Sequence, residues 1–359
     1  MAPVLNLSLS FLFFVFHSAL AAPAVTYNVA NFGAKPDGKT ESTKAFLNAW
    51  ANACGSTRPA SIYVPRGRFL LRNAAFTGPC KNNAISVQID GTLVAPSDYR
   101  VIGKTANWLL FQRVNGVSIE VGSLMDEAPV CGLVRCQARI AQVEPRGLTS
   151  LNSQMFHIVV NGCRDVKMQG IKVIAAGNSP NTDGIHVQLS TGVTILKSKI
   201  RTGDDCVSIG PGTTNLWIEN VACGPGHGIS IGSLGKDMQE QGVQNVTVKT
   251  ITFTNTQNGL RIKSWGRASN EFAKNILFQH AVMFNVQNPI VIDQNYCPSN
   301  KGCPGQVSGV KVSNVIYQDV HGSSATQVAV KFDCSPKFPC SGIRLENVKL
   351  TYKNLARFM

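Results

Sequence analysis

The chain has few acidic residues, and its first segment has no charged side chain. Only 20 of the 359 residues are Asp or Glu, against 34 Lys and Arg, so the formal charge is +14. Residues 1–22 contain none of these four types, and their middle reads LSLSFLFFVFHSALA. This apolar run is shorter than the ~20 residues that span a bilayer, and Ala19-Leu20-Ala21 fits a cleavage site. Residues 1–21 are therefore predicted to be a secretory signal peptide.

No second apolar run of spanning length follows, so no membrane association is expected after cleavage. The remaining residues are enough for one large core or two ordinary domains. A basic protein outside the cell suits an anionic partner there, and a polysaccharide more readily than a nucleic acid. Charge that serves only solubility is the alternative, and charge alone does not decide between them.

The sequence also lacks any Cys-x-x-Cys pair, which disfavours a structural zinc site. Its 11 cysteines instead indicate disulfides in a secreted chain. Short loops predict Cys297–Cys303 and Cys334–Cys340, and Cys54–Cys80 and Cys206–Cys223 are plausible pairs. The odd count leaves at least one cysteine without a partner, and Cys131, Cys136 and Cys163 stay unassigned.

Residues 33–40, GAKPDGKT, match the G-x-x-x-x-G-K-[ST] pattern of phosphate-binding loops. A secreted chain meets little ATP, and Asp37 would place a negative charge beside the phosphates. Pro36 removes one of the backbone N–H donors on which such a loop depends. We therefore expect no nucleotide here, but a turn before the start of a helix, with Thr40 or Ser42 as its N-cap residue.

A repeated apolar pattern begins near residue 115. Each copy has apolar residues at a start position and two, five and seven residues later, as in Val166-Met168-Ile171-Val173. Further copies start at Val193, Leu216, Val246, Ile276, Val310 and Ile343, and their starts lie 23 to 34 residues apart. Periods of this size are typical of solenoids, and two-residue alternation within each copy indicates short strands. Each unit is too small to bury its own apolar face, so stacked neighbours must complete the core.

The period decides between two all-β architectures. Propeller blades need about 40 to 50 residues, so coils of this length favour a single parallel β-helix domain over residues 22–359. Phe46, Trp50 and Cys54 share one face of a short N-terminal helix, which would cap the open end of the solenoid.

The scarce acidic residues cluster on consecutive coils. Asp183 lies in SPNTDGIHV, Asp204 and Asp205 lie in RTGDDCVSI, and His227 follows in CGPGHGISI. The next coils carry Arg261 and Lys263 in NGLRIKSW and Tyr296 in DQNYCP. Since neighbouring coils stack ~4.8 Å apart, these residues predict one polar strip across five coils.

Such a strip suits glycoside hydrolysis, which needs a protonated carboxyl and an ionised carboxylate ~6.5–9.5 Å apart for inversion. Three crowded carboxyls raise the pKa of at least one, which would retain a proton for donation. Arg and Lys could bind substrate carboxylates. Asp-Gly turns, a loop histidine, a solvated cationic face, or a Ca²⁺ site at Asp204 and Asp205 are the plainer alternatives.

NTDG at 181–184, GDD at 203–205, GHG at 226–228 and RIK at 261–263 resemble the polygalacturonases, and most closely their plant branch. These are pectin-degrading glycoside hydrolases of the right-handed parallel β-helix fold. The similarity covers most of residues 25–115 and 147–352. It implies a secreted enzyme that hydrolyses α-1,4-galacturonosyl linkages of pectin or polygalacturonate with inversion, in the extracellular space or cell wall. No metal or organic cofactor is implied, and a monomer is expected.

Carried over by position, the resemblance makes Asp204 the general acid, while Asp183 and Asp205 hold and deprotonate the attacking water. His227 tunes or orients the acid. Arg261 and Lys263 bind the galacturonate carboxylate, and Tyr296 is a further substrate contact.

Two segments depart from the family pattern. Residues 121–146 lack the expected Phe/Leu-Asp-Gly-x-Gly turn and have little strand periodicity, although Val143 is a candidate start of a coil. The chain also stops soon after its last repeat, where relatives usually continue. A β-helix pectate or pectin lyase is kept as one alternative, although the GDD and GHG motifs argue against it. A wall-binding relative whose altered 121–146 segment abolishes turnover is the other.

Overall fold

The computed structural model describes residues 23–103, 105, 107–121, 132–135, 143–298 and 301–352. The predicted signal peptide, Cys131 and Cys136 lie outside this part of the chain. One α-helix, α1, spans Thr43–Gly55, and short 3-10 turns span Val29–Phe32 and Tyr99–Val101. In chain order the strands are β1 (Val25–Asn28), β2 (Asp37–Glu41), β3 (Ala60–Val64), β4 (Arg68–Leu70), β5 (Ala74–Thr77), β6 (Ile85–Ile89), β7 (Thr92–Val94), β8 (Leu109–Gln112), β9 (Val117–Val121), β10 (Gly132–Arg135), β11 (Val143–Arg146), β12 (Thr149–Leu151), β13 (Ile158–Asn161), β14 (Lys167–Gln169), β15 (Lys172–Ile174), β16 (Ile185–Gln188), β17 (Thr191–Arg201), β18 (Val207–Ile209), β19 (Thr214–Cys223), β20 (Ile229–Leu234), β21 (Val243–Thr254), β22 (Asn258–Trp265), β23 (Phe272–Val286), β24 (Asn288–Tyr296), β25 (Lys311–Ser324), β26 (Val330–Asp333) and β27 (Ser341–Tyr352).

The strands form two long parallel sheets and one small one. The large sheet runs β1-β3-β6-β9-β11-β14-β17-β19-β21-β23-β25-β27, with β12 and β15 alongside. The second, here called the cleft sheet, runs β26-β24-β22-β20-β18-β16-β13-β10-β8-β5, and β2-β4-β7 form the third. From β16 to β27 the chain alternates between the two long sheets, and every pair is parallel. The predicted parallel β-helix is confirmed.

The repeated apolar pattern fills the interior. Val166, Met168, Ile171 and Val173 are all at most 1% exposed, and the copies starting at Val193, Leu216, Val246 and Ile276 are buried in the same way. The residue four places after each start has a positive φ, for example Asn220 at 56°. This left-handed residue bends the strand, so the alternation resumes one place later and both halves face the core.

One copy of the pattern is shifted from its predicted start. Val315, and not Val310, pairs with Ile276 in the large sheet. Val310 and Val312 are buried one step earlier, where Val312 pairs with Ala273. Their spacing to Val315 imitates the repeat by coincidence, so the predicted start at Val310 is wrong.

Asparagines stack on one corner of the solenoid. Asn215, Asn245, Asn275 and Asn314 have φ between 53° and 56°, a region that asparagine tolerates better than most residues. The amides of Asn245, Asn275 and Asn314 each donate to the asparagine of the preceding coil, at 3.0 Å, 3.2 Å and 3.3 Å. The side chains thus satisfy one another where the strands turn.

Helix α1 covers the N-terminal end as predicted. It buries Phe46 and Trp50 against the first coils, and the Trp50 indole donates to the Thr77 carbonyl at 3.1 Å. Ser42 is its N-cap residue, although its hydroxyl binds Lys35 and Thr40 backbone groups and does not cap the helix. Among the described residues, no helix is long and apolar enough to span a membrane.

In the segment GAKPDGKT, residues 33–36 form a turn and residues 37–40 are already part of strand β2, so the predicted turn precedes a short strand before the helix begins. The Asp37 carboxylate accepts hydrogen bonds from the backbone N–H groups of Lys39 and Thr40, both at 2.8 Å. These bonds, with the Thr40 hydroxyl first, lower the pKa of Asp37 to about 2. Two N–H groups that a phosphate-binding loop would offer its ligand are therefore occupied by the turn itself.

All four proposed disulfides form: Cys54–Cys80, Cys206–Cys223, Cys297–Cys303 and Cys334–Cys340. Cys163 is also disulfide-bonded. The described parts of the atypical segment continue both sheets, because β10 pairs with β8 and β13 while β11 pairs with β9 and β14. Val143 begins β11, so the candidate coil start is confirmed.

Candidate active site

The predicted polar strip lies along five neighbouring strands of the cleft sheet, β16, β18, β20, β22 and β24. Its members follow one another on successive coils: Asp183 precedes β16, Asp204 and Asp205 precede β18, His227 precedes β20, Arg261 and Lys263 lie on β22, and Tyr296 ends β24. The structure brings all seven residues together.

Close backbone contacts explain the glycines in the motifs. A Cβ on Gly203 would lie 2.0 Å from the Ser179 carbonyl oxygen. Gly228 has φ +85°, and a Cβ there would lie 2.1 Å from the Asn258 carbonyl oxygen. His227 N–H donates to the Asp204 carbonyl at 2.7 Å. The glycines allow the acidic turns of adjacent coils to touch.

Asp205 is the buried centre of the site. Its side chain is 2% exposed. Its Oδ1 accepts from the Arg261 guanidinium and the Ser230 hydroxyl, both at 2.8 Å, and its Oδ2 accepts from Lys263 Nζ at 2.9 Å. Burial raises the pKa of Asp205, but Lys263 and Arg261 together hold it below its ordinary value. Asp205 is therefore an ionised carboxylate.

Asp204 is more accessible, with 22% of its side chain exposed. Its Oδ1 accepts from His227 Nδ1 at 3.0 Å and from the Asp205 N–H at 2.8 Å, and its Oδ2 accepts from the Asn181 N–H at 3.2 Å. Burial raises the pKa of Asp204, but the hydrogen bond from His227 and the charges of His227 and Lys263 together outweigh it, so the net shift is downward.

The pKa of Asp183 is raised, in contrast to that of Asp204. Burial, followed by the charges of Asp205 and Asp204, raises its pKa to about 7, against smaller lowering effects of Ser208 and Lys263. The three carboxyls, here called the aspartate trio, therefore hold one proton at mildly acidic pH, and it resides on Asp183 in the free protein.

Tyr296 closes one side of the site with its ring. Lys263 Nζ lies 5.1 Å and the Arg261 Cζ 5.9 Å from the ring centroid. The Trp265 ring packs edge-on against Tyr296 at 5.4 Å between centroids. The two cations are thus held between an aromatic face and Asp205.

The trio opens into a polar cleft of about 460 Å³. Besides the trio, Lys263 and Tyr296, its walls include Phe156, His186, Gln188, Ser208, Lys236, Asp237 and Glu240. A polar cleft that is open to solvent suits a polymer better than an enclosed small molecule.

The profile of glycosyl hydrolases family 28 matches residues 136–357, which is more than half of the chain. The chain belongs to glycosyl hydrolase family 28. A second profile, rhamnogalacturonase A/epimerase, pectate lyase-like, matches residues 26–106.

Relatives of this family 28 glycoside hydrolase share nearly its full length. A polygalacturonase of Prunus persica is 66% identical over 98% of this chain and 92% of its own length. An exopolygalacturonase of Platanus acerifolia is 41% identical over 91% of this chain and 90% of its own length. The solved endo-xylogalacturonan hydrolase of Aspergillus tubingensis superimposes with a TM-score of 0.75 at 20% identity, covering 92% of this chain and 93% of the other. The shared fold is the right-handed parallel β-helix, as predicted.

Asp204, Asp205 and His227 also have the composition of a metal site, with one ligand atom of each within 4.8 Å of the others. Their other contacts argue against this use in the family 28 chain. Both oxygens of Asp205 are already bound to cations, and a further cation would face Arg261 and Lys263 at short range. The contacts of Asp205 are those of a carboxylate paired with two side-chain cations and not those of a metal ligand.

Three polar residues of the site were not predicted: His186, Ser208 and Ser230. Each lies on the outward face of its strand, between buried aliphatic neighbours. The sequence contains a usable signal, because each follows the last motif residue of its coil, Asp183, Asp205 or His227, by three places. Reading the four motif strands in register would have placed them in one row.

Proposed function

We propose that the chain is a secreted polygalacturonase that hydrolyses α-1,4-galacturonosyl linkages of pectin or polygalacturonate with inversion. The observation that carries this proposal is the aspartate trio, placed beside Arg261 and Lys263 in an open cleft of a family 28 chain. Two relatives named polygalacturonase and exopolygalacturonase support the substrate class.

Asp204 is the proposed general acid. It is the member of the trio with a neighbouring histidine, and its side chain is better exposed than that of Asp205, so it can reach a leaving oxygen. His227 donates to Asp204 Oδ1, and among the described residues the hydrogen-bond partner of Oδ2 is the Asn181 N–H. These two hydrogen bonds fix the orientation of the Asp204 carboxyl.

Asp183 and Asp205 are proposed to hold the attacking water. Asp205 remains ionised because of its two cations, and Asp183 has a pKa close to neutral, which suits a group that accepts a proton and later releases it.

Arg261 and Lys263 have a double role in this proposal. Both contact Asp205 directly, and each keeps further N–H donors, since a guanidinium has five and an ammonium three. The remaining donors are proposed to bind the galacturonate carboxylate, and the Tyr296 ring to contact the sugar. We also propose a monomer that acts in the cell wall without a metal or cofactor.

Defined oligogalacturonides test the function. Incubation with purified protein should give shorter, saturated oligogalacturonides. EDTA at about 5 mM, which removes Ca²⁺, should leave the rate of product formation unchanged. Release of monomer alone would indicate exo action and a ladder endo action. Unsaturated products would instead establish the lyase alternative, and binding without products would establish the wall-binding one.

A further inference from the structure

Each of the four stacked asparagines is followed, two places later, by a residue on the outer face of the large sheet. These four residues pair in register with one another and are here called the outer row: Trp217, Thr247, Leu277 and Ile316. Their chain neighbours on both sides are buried, so the side chains of the row point outward. Three of the four are apolar, and Trp217 is 40% exposed. The outer row is therefore an apolar strip on the surface that is interrupted at Thr247.

The interruption at Thr247 creates a modification motif. Asn245-Val246-Thr247 has the form N-x-[ST], and no other such triplet follows the predicted signal peptide. The Asn245 side chain is exposed, and Thr247 points outward between the buried Val246 and Val248. Neither Asn245 nor Thr247 lines the cleft. A sugar chain on Asn245 would therefore extend into solvent from the large sheet and leave the cleft open.

The hydrogen bonds of Asn245 leave one of its two amide hydrogens for a sugar. Its Nδ2 donates to Asn215 Oδ1 at 3.0 Å, and its Oδ1 accepts from Asn275 Nδ2 at 3.2 Å. The two bonds point to opposite coils, so the hydrogen used in the stack is the one trans to the amide oxygen. A glycosylated side chain is a planar secondary amide that keeps this trans hydrogen. The sugar replaces the other hydrogen, and both hydrogen bonds of the stack are retained.

We propose that Asn245 carries an N-linked glycan whose first sugar covers part of the outer row at Trp217. The modification rests on the proposed secretion and not on the hydrolase activity. The donor is an oligosaccharide that is linked through a diphosphate to a membrane lipid. Nδ2 of Asn245 forms a bond to the anomeric carbon of the first N-acetylglucosamine, and the bond from that carbon to the phosphate oxygen breaks. The lipid diphosphate leaves, and Nδ2 loses one proton.

The register of the sheet explains why the first sugar meets Trp217. Thr247 pairs with Trp217 on the preceding coil and with Leu277 on the following coil, ~4.8 Å away on either side. Asn245 lies two residues before Thr247, so a sugar on its amide begins at the edge of the outer row. The Trp217 indole N–H donates to Glu219 at 2.9 Å, which holds the ring at the surface. Covering this ring with the apolar face of a sugar removes apolar area from water.

The first test asks whether Asn245 is modified. The full chain is expressed in a eukaryotic host, and in a second version a secretory leader of that host replaces residues 1–21. The secreted protein should lose mass on treatment with peptide N-glycosidase F, and peptide mass spectrometry should locate the change at Asn245. Thr247→Val should abolish this mass loss, while Thr247→Ser should retain it. Secreted wild-type protein with an unmodified Asn245 would overturn the proposal. Failure of only the native leader to direct secretion would contradict the proposed localisation instead.

Leu277→Thr is the matched variant that adds a site, because it creates the same kind of triplet at Asn275 on the next coil. It should carry two glycans. The double variant Thr247→Val/Leu277→Thr should carry one, moved from Asn245 to Asn275. A secreted double variant without a glycan would overturn the argument that an exposed member of the asparagine stack accepts a sugar.

A second test concerns the contact with Trp217. Wild-type protein with high-mannose glycans, trimmed to the first sugar by endoglycosidase H, is compared with the same chain made without glycan in a bacterial periplasm. The trimmed form should bind the hydrophobic dye ANS about twofold less. Trp217→Gln should remove most of this difference, and equal dye binding by the two wild-type forms would overturn the contact. Neither test measures hydrolysis, so a protein that leaves polygalacturonate intact would contradict the proposed function alone.

Discussion

Asp204 and Asp205 are adjacent in the chain, but their side chains have different neighbours. Asp205 meets Arg261, Lys263 and Ser230 inside the cleft sheet, whereas Asp204 meets His227 and two backbone N–H groups at the cleft surface. An amide in place of either carboxyl would therefore have different effects. At Asp205 it would leave two buried cations without their counter-charge, while at Asp204 it would remove mainly the acidic proton.

Asp204→Asn should lower kcat on polygalacturonate by about 10²- to 10⁴-fold and change substrate affinity by no more than about threefold. The amide oxygen keeps the bonds from His227 and the Asp205 N–H but offers no proton to a leaving group. Steady-state kinetics and calorimetric titration with an oligogalacturonide measure the two quantities. Asp165→Asn, at an exposed aspartate of the large sheet, is the control. A kcat within tenfold of wild type would remove Asp204 from the role of acid.

The pH dependence follows from the proton shared by the trio. The pKa of Asp183 is raised to about 7 and that of Asp204 is lowered, so the trio carries one proton between these limits. In the proposed mechanism the active form has this single proton on Asp204, with Asp183 ionised, and it is in equilibrium with the more populated form in which Asp183 holds the proton. We expect kcat/KM to be bell-shaped in pH, with a falling limb near pH 7 where the trio loses its last proton. A rate that stays level to about pH 9 would contradict this assignment.

At the scale of elements, the stacked asparagines show what pattern reading can and cannot give. The spacing of Val166, Met168, Ile171 and Val173 was enough to predict coils, because burial depends on apolar side chains in sequence order. The start at Val310 failed because spacing alone does not reveal where the left-handed corner residue lies. That corner is set by Asn314, whose amide pairs with the coil before it.

Asn275→Ala should lower the free energy of unfolding by about 1–3 kcal/mol, through two lost side-chain hydrogen bonds and a left-handed backbone that alanine disfavours. Asn275→Gly is the matched variant, because it loses the same bonds but tolerates the φ. Urea unfolding should place the glycine variant between alanine and wild type. Alanine and glycine variants of equal stability would show that the backbone contributes nothing.

Glu271 is a buried acid that directly precedes β23. Its Oε2 accepts from the Gly235 N–H at 2.6 Å, and its buried Oε1 has no donor among the described residues. Burial, with Glu240 beside it, raises the pKa of Glu271 to about 8.

This raised pKa makes stability fall as pH rises. Between the unfolded pKa near 4.5 and the folded value of about 8, the folded state holds more protons than the unfolded one. The contribution of Glu271 is thus fully present below about pH 4.5 and is lost on the way to pH 8. Glu271→Gln should flatten the decline measured by urea unfolding across this range, whereas Glu346→Gln, an exposed control, should not. An unchanged slope in Glu271→Gln would show that Glu271 is ionised at neutral pH.

At the scale of the whole molecule, the sequence predicted the solenoid, its cap, four disulfides and the seven residues that meet in the cleft. It could not predict that Arg261 and Lys263 both bind Asp205, since register and side-chain reach decide this and not spacing along the chain. It also placed a retained proton within the trio without showing which carboxyl holds it. Burial and neighbouring charge, which only the fold defines, assign it to Asp183.

The formal charge of +14 should act on the substrate at long range. A polyanionic pectin chain is attracted by the whole molecule, and salt screens this attraction because the Debye length falls from about 10 Å at 0.1 M to about 3 Å at 1 M. We expect KM for polygalacturonate to rise about fivefold to tenfold between ~0.05 and ~0.5 M NaCl, with kcat within about twofold, because the ion pairs of the buried site are screened much less. Trigalacturonate, with few charges beyond the cleft, is the matched substrate and should show a weaker dependence. A fall in kcat at constant KM would instead place the salt effect on the trio and its two cations.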